Sequence, residues 1–230
     1  MSALVSPSSA TAFQQELAAT AQHLATVLPA SAAQTIDAGI DHVEEADLTQ
    51  HAVQAGQPAP NFTLPGADGQ PQTLATLLHK GPVVLTFYRG NWCPYCNVQL
   101  RAYQQVLPEL ARYGATLVAV SPQTPELTSL TASEKALAFP VLSDVGNTVA
   151  RQYGLAYGVG PEVGAALRGV GIDLTAFNGT SDDELPLTAT FLIGTDGVIA
   201  WAEVEANFKH RPDPSAILAA LAQLPTAVPA

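Results

Sequence analysis

Apolar positions recur with a helical period through the first fifty residues and as short strand-length blocks after that. Phe13, Leu17, Leu24 and Val27 or Leu28 follow the capping-box pattern Thr11-Ala-Phe-Gln14. Ile36, Ile40 and Val43 follow a second such pattern, Ser31-Ala-Ala-Gln34. With Pro29 between them, the two runs predict a helical hairpin over residues 1–55 whose single apolar stripe has to be buried on the main body or on a second subunit. The breaker Gln57-Pro-Ala-Pro60 opens the main body, residues 56–230.

Within that body the period alternates. Strands are expected at Asn61–Leu64, Val83–Tyr88, Thr116–Val120, Phe139–Leu142, Thr188–Ile193 and Val198–Val204, the last two joined by the hairpin turn Gly194-Thr-Asp-Gly197. Helices are expected at Leu74–Leu78, from about Pro94 to Tyr113, from Thr124-Pro125-Glu126, over Asn147–Tyr153, and from Asp213-Pro214 to Leu221. Thr124 and Asp213 serve as caps, each followed by a proline at the first helical position. A parallel βα half followed by an antiparallel hairpin implies an α/β fold, a mixed sheet with helices on both faces. Residues 155–187 interrupt the order with six glycines, one helical candidate at Glu162–Leu167 and the acidic run Ser181-Asp-Asp-Glu184. An insertion of that length reads as a functional or mobile loop.

Composition narrows the classes. The 230 residues are 47% apolar and 13% charged, enough to fill a core, and no apolar run approaches the ~20 residues of a membrane span. The formal charge is −11, and no Lys or Arg precedes Lys80. Nucleic acid and anionic membranes are therefore poor partners. The N-terminus lacks the basic segment of a secretory signal, so a cytoplasmic location is the expectation.

The candidate chemistry lies in Cys93-Pro94-Tyr95-Cys96, the only cysteines in the chain. The pair falls at the junction of the Val83–Tyr88 strand and the helix that follows. The unpaired N–H groups and partial positive charge of a helix N-terminus stabilise a thiolate there. The spacing places both sulfurs in the first turn, and Pro94 stiffens that turn without cost to the helix. Cys93, outside the helix proper, is expected to be the more exposed sulfur, with Trp92 and Tyr95 as a flat shield. A structural zinc site would need four ligands, which two cysteines and five histidines without paired spacing do not supply, so no metal or other cofactor is expected.

Leu85-Thr-Phe-Tyr-Arg-Gly-Asn-Trp-Cys-Pro-Tyr-Cys96, with Ala59-Pro-Asn-Phe62 upstream and Leu185-Pro-Leu-Thr-Ala-Thr-Phe-Leu-Ile193 downstream, resembles the peroxiredoxin-like branch of the alkyl hydroperoxide reductase/thiol-specific antioxidant family. The resemblance covers roughly residues 56–223. It implies a thioredoxin-like fold and a thiol peroxidase acting on hydrogen peroxide or organic hydroperoxides, regenerated by the thioredoxin or glutathione system. In the family's Pro-x-x-x-Thr-x-x-Cys pattern the peroxidatic cysteine falls on Cys96, while Arg89 and Cys93 stand where the proline and threonine would be. Thr188 holds the place of an arginine that helps bind peroxide in many members. Cys-Pro-Tyr-Cys is itself the active-site sequence of typical glutaredoxins.

Three readings follow. In a peroxidase, Cys96 attacks the peroxide, Cys93 resolves the sulfenic acid, and Arg89 is the nearby cation able to replace the missing arginine. In a thiol–disulfide oxidoreductase, Cys93 attacks and an open groove lies beside position 188. In a non-catalytic redox-sensing or binding protein, the helical extension is the output element. Arg89, Trp92, Tyr95 and Thr188 are the expected substrate-binding residues, and the apolar stripe makes a homodimer through the extension a further expectation.

Overall fold

The computed structural model describes residues 11–224; the first ten residues of the expected extension and the last six of the expected body lie outside the described residues. Helices α1 (Ala12–Val27) and α2 (Ala30–Glu45) make up the N-terminal segment expected as a hairpin, but each packs on the body and not on the other: α1 lies on the helix that follows the central strand, and α2 on the helix at residues 161–169. The strands β1 (Thr63–Pro65) and β2 (Pro71–Thr73) lead into α3 (Leu74–Leu78) and the strand β3 (Val83–Phe87). Then come α4 (Pro94–Gln105), α5 (Leu107–Arg112), β4 (Thr116–Ser121), α6 (Pro125–Glu134), β5 (Val141–Ser143) and α7 (Thr148–Gln152). The segment before the closing hairpin holds β6 (Ala156–Gly158), α8 (Pro161–Gly169), α9 (Leu174–Asn178) and β7 (Glu184–Pro186). The chain closes with β8 (Thr188–Ile193), β9 (Ile199–Glu205) and α10 (Pro214–Leu221).

The sheet runs β5-β4-β3-β8-β9, with β3, β4 and β5 parallel and β8 and β9 antiparallel. The expected mixed α/β sheet is borne out. Strand β3 lies at its centre and is buried along its whole length, which is why its sequence is apolar without alternation. The pleat sends Val83, Leu85 and Phe87 to one core with Val118, Val120, Phe191 and Ile193, under α3 and α7. Val84 and Tyr88 face the other core with Leu117, Ala119 and Leu192, under α4, α5 and α10.

The two N-terminal helices are docked on both cores. Phe13 and Leu17 of α1 enter the α4 side, and Val43 of α2 enters the other. Burial of side chains such as Phe13 and Leu17 contributes about 1.5–3 kcal/mol each. Thr11 caps α1 as expected, accepting from the Gln14 N–H at 3.2 Å, and donates to Asp213, the cap of α10, at 2.6 Å. Ion pairs Glu16–Arg101 and Asp37–Lys209 tie both helices to the body. The stripe that a second copy could have covered is thus largely covered within the chain.

Three expectations are corrected. Ser31 does not cap α2, which begins one residue earlier behind Pro29, because a proline just before the first turn already fixes the entry. The single helix from Pro94 to Tyr113 is two helices broken at Val106, since Pro108 has no N–H to donate and its ring collides with the carbonyl one turn back. Residues 155–187 are no bare loop: β6 pairs with β7, and α8 and α9 build a small apolar cluster of their own around Leu167, Leu174 and Leu185.

Candidate active site

The site forms where β3 ends. Tyr88 remains in the sheet through its N–H to the Val120 carbonyl at 3.0 Å. The chain then turns at Gly90, whose φ of +148° and whose approach to Trp92 (a Cβ would lie 2.5 Å from the indole nitrogen) leave no room for a side chain. The turn is pinned from β4's side: Gln123 accepts from the Asn91 N–H and donates to the Asn91 side-chain oxygen, both at 3.0 Å. Asn97 in turn donates to the Asn91 carbonyl at 2.8 Å. Cys93 occupies the N-cap of α4 and Cys96 its first turn, as the spacing implies.

Exposure differs from expectation. Cys93 is 1% exposed and Cys96 0%, both as free thiols. Cys93 is outside the helix but not in solvent, because Trp92, Tyr95 and the two N-terminal helices close over it. A cavity of about 410 Å³ lies under that roof, bordered by Cys93, Arg89, Trp92 and Tyr95 and walled by apolar side chains of α1, α2 and α8.

The electrostatic centre is Arg211, a residue the sequence reading did not select. It lies between β9 and α10, is 4% exposed, and donates from Nη2 to the Cys96 sulfur at 3.4 Å. Nη1 donates to the Thr188 hydroxyl at 3.2 Å and to the Phe208 and His210 carbonyls, and Nε to Gln99 Oε1 at 3.1 Å. No carboxylate pairs with Arg211 among the described residues. A guanidinium buried without a carboxylate needs another anion beside it, and Cys96 is the group in reach. Burial by itself pushes the Cys96 thiol up. The hydrogen bond from Cys93, the Arg211 charge, a bond to the Arg89 backbone and the Arg89 charge outweigh it and carry the thiol below its ordinary range. Cys93 moves the other way, raised by burial and by its role as donor to Cys96. The two shifts run apart, favouring the thiolate at Cys96 and the thiol at Cys93.

A chain of buried hydrogen bonds fixes this cation. Gln99 donates to the Tyr103 hydroxyl at 2.9 Å, Tyr103 meets Thr190 at 3.1 Å, Thr190 meets Thr86 at 3.0 Å, and Thr86 donates to the Ala189 carbonyl at 3.1 Å. Because Thr86 spends its proton on the carbonyl, Thr190 donates to Thr86 and Tyr103 to Thr190, so every hydroxyl is used once. Burial pushes Tyr103 up to about 12, which keeps that proton in place.

The other expected residues are distributed around this centre. Thr188 is buried and accepts from Arg211: where the family resemblance places an arginine, this chain brings a guanidinium from elsewhere to the same spot. Arg89 is also buried, at 3% exposure, but its guanidinium lies over the Phe208 ring (3.8 Å) and the Trp92 ring (4.9 Å) and makes no hydrogen bond to either sulfur. The expectation that Arg89 is the cation serving the thiols is therefore corrected in part: it acts from the backbone and at a distance, and Arg211 acts directly. Tyr95 is buried with its ring edge-on to Phe208 at 6.0 Å. The signal for Arg211 was faint. It and Arg89 are the two arginines outside every helix, but no local motif marks it.

A mixed sheet with a polarised dithiol at the N-terminus of the helix after its central strand defines a thioredoxin-fold thiol oxidoreductase. The AhpC/TSA family model matches residues 55–202, well over half of the chain. The bcp peroxiredoxin of Coxiella burnetii (strain RSA 493 / Nine Mile phase I) is 30% identical over 158 residues, covering 68% of this chain and 93% of its own. Peroxiredoxin Q of Populus jackii chloroplasts is 33% identical over 103 residues, covering 45% of this chain and 48% of its own. Among solved structures, the peroxidoxin BcpB of Mycobacterium tuberculosis superposes with a TM-score of 0.59 at 24% identity over 75% of this chain and 99% of its own, a likeness of fold. The chain belongs to the AhpC/TSA family, as the segment around the two cysteines implies.

Proposed function

We propose that the protein is a thiol-dependent peroxidase with Cys96 as the peroxide-reducing sulfur and Cys93 as its resolving partner. The observation that carries the assignment is the Arg211 guanidinium 3.4 Å from the Cys96 sulfur in a water-poor site. The same group that holds the thiolate also has protons to offer the oxygen on which charge develops. The thiolate attacks the terminal oxygen of the hydroperoxide, an S–O bond forms, the O–O bond breaks, and the leaving oxygen takes up a proton and departs as water or an alcohol. Cys93, still protonated, then attacks the sulfenic sulfur. An S–S bond forms, and the sulfenic hydroxyl leaves as water with the Cys93 proton. An external thiol restores the dithiol. Arg89, Trp92, Tyr95 and Thr188 are assigned to shaping the approach, and residues 1–55 to roofing a catalytic body of residues 56–230.

Family membership supports this reading, as does position 188. A disulfide reductase needs an open groove there, whereas Thr188 is buried under Arg211. Likeness to the bcp peroxiredoxin of a bacterium supports assigning the protein to the cytoplasm. The test is mass spectrometry after one equivalent of hydrogen peroxide. Cys93→Ser should complete one turnover and accumulate sulfenic or sulfinic acid at Cys96, and Cys96→Ser should be inert. The reverse pattern, with mixed disulfides trapped on Cys93, would establish the reductase instead.

A further inference from the structure

Peroxide reduction uses Cys96, yet the cavity of about 410 Å³ opens on Cys93 and does not touch Cys96. Its walls are largely apolar, with Leu24 and Leu28 from the N-terminal helices on one side and Leu167, Val170 and Ile172 on the other. Its floor is the Cys93 end of the dithiol, beside Trp92 and Tyr95. The volume lies in the roughly 300–1,000 Å³ range of small-molecule sites and is far too small for a folded protein.

We infer that this cavity is the docking site of the reductant, and that the reductant is a small apolar dithiol. The inference rests on the dithiol cycle proposed above and adds the identity of its last step. Of the two sulfurs of the oxidised pair, a molecule in the cavity meets Cys93. Its thiolate attacks the Cys93 sulfur, the Cys93–Cys96 bond breaks, and Cys96 leaves as the thiolate beside Arg211. Exchange is fastest when the departing thiol is the more acidic one, and the geometry has arranged that order. The ligand's second sulfur, once deprotonated, then attacks the ligand sulfur bonded to Cys93. The ligand departs as a cyclic disulfide, and the proton released by the second thiol ends on Cys93. Two electrons and one proton pass from ligand to protein, and the proton of the first ligand thiol goes to solvent. A monothiol would stop at the mixed disulfide, with the cavity already occupied against a second molecule. The alkyl part of the ligand would lie along Leu24 and Leu28.

The test measures the reductive step alone, on full-length protein oxidised beforehand with diamide, so that its outcome does not depend on peroxidase activity. Dihydrolipoamide, dithiothreitol, glutathione, and thioredoxin with its reductase are compared by stopped-flow tryptophan fluorescence. Dihydrolipoamide should reduce the disulfide with saturating kinetics and at least about tenfold faster than dithiothreitol at equal concentration. Leu28→Asp in the N-terminal wall and Val170→Asp in the opposite wall should each collapse that preference for the apolar dithiol, in protein whose circular dichroism is unchanged. If either variant fails to fold, the other carries the test. Faster reduction by thioredoxin or glutathione than by dihydrolipoamide, rates linear in dihydrolipoamide, or a preference that survives the folded wall variants would overturn the proposal.

Discussion

Replacing Arg211 by methionine tests the centre of the site. The substitution keeps an unbranched apolar body and removes the guanidinium that lies 3.4 Å from the Cys96 sulfur. An opposite charge at such range shifts a pKa by about 1–3 units, which corresponds to about 1.4–4 kcal/mol between the two protonation states. The sign is fixed by the chemistry: the Cys96 thiol should rise toward or past its ordinary value, leaving little thiolate at neutral pH. The same change removes a donor for the developing oxygen charge, a loss typically worth about 100–1,000-fold in rate. Oxidation by hydrogen peroxide, followed by stopped-flow fluorescence, should therefore slow by at least about 100-fold near neutral pH. In the wild type the rate should hold through the ordinary thiol range and fall only as pH drops through the lowered Cys96 value. In Arg211→Met the fall should begin at higher pH. Arg211→Lys, which keeps the charge but loses the fork that reaches Gln99 and Thr188, should restore part of the pH profile and less of the rate. An ultraviolet thiolate titration unchanged in Arg211→Met, with a rate loss under about tenfold, would refute the assignment of Arg211 to the sulfur.

Other outcomes follow from the same geometry. Tyr103→Phe strands the Gln99 N–H in the core and removes the proton that Thr190 accepts, so thermal unfolding should show a loss of about 1–3 kcal/mol, and oxidation should slow through a less constrained Arg211. Arg89→Met should cost about 0.5–2 kcal/mol of stability through the lost stacking on Trp92 and Phe208 and should raise the Cys96 thiol by less than Arg211→Met does, both readable in one titration and melting series. Gly90→Ala should displace Trp92 and slow formation of the Cys93–Cys96 bond, seen as more sulfinic acid at Cys96 per turnover in mass spectrometry.

The strands and helices of the body were legible because each carries its own local signal: the apolar block of β3, the prolines that open α6 and α10, the glycines of the β8–β9 turn. The dithiol was legible for the same reason, since its spacing and its place before α4 are properties of a short segment. Arg211 was not, because it reaches Cys96 across 115 positions of sequence through a fold that no local pattern encodes. The exposure of Cys93 was misjudged for a related reason. Position in a helix says which sulfur is outside the first turn, but the roof over it comes from α1 and α2, elements that contribute no chemistry of their own. Inside residues 155–187, the pairing of Ala156–Gly158 with Glu184–Pro186 joins two three-residue strands, too short for periodicity to register.

A buried guanidinium whose anion is a cysteine has a consequence for reduction potential. When the Cys93–Cys96 bond forms, the thiolate disappears and Arg211 is left in the protein interior with only neutral acceptors around it. The charge that favoured the reduced state becomes a penalty on the oxidised one. Each unit by which Cys96 lies below the ambient pH stabilises the dithiol about tenfold, or about 30 mV for a two-electron couple. The disulfide should therefore be an easily reduced one, resembling the transient bond of a catalyst more than a structural crosslink. A cycle built this way spends most of its time poised for the next peroxide, with regeneration running downhill.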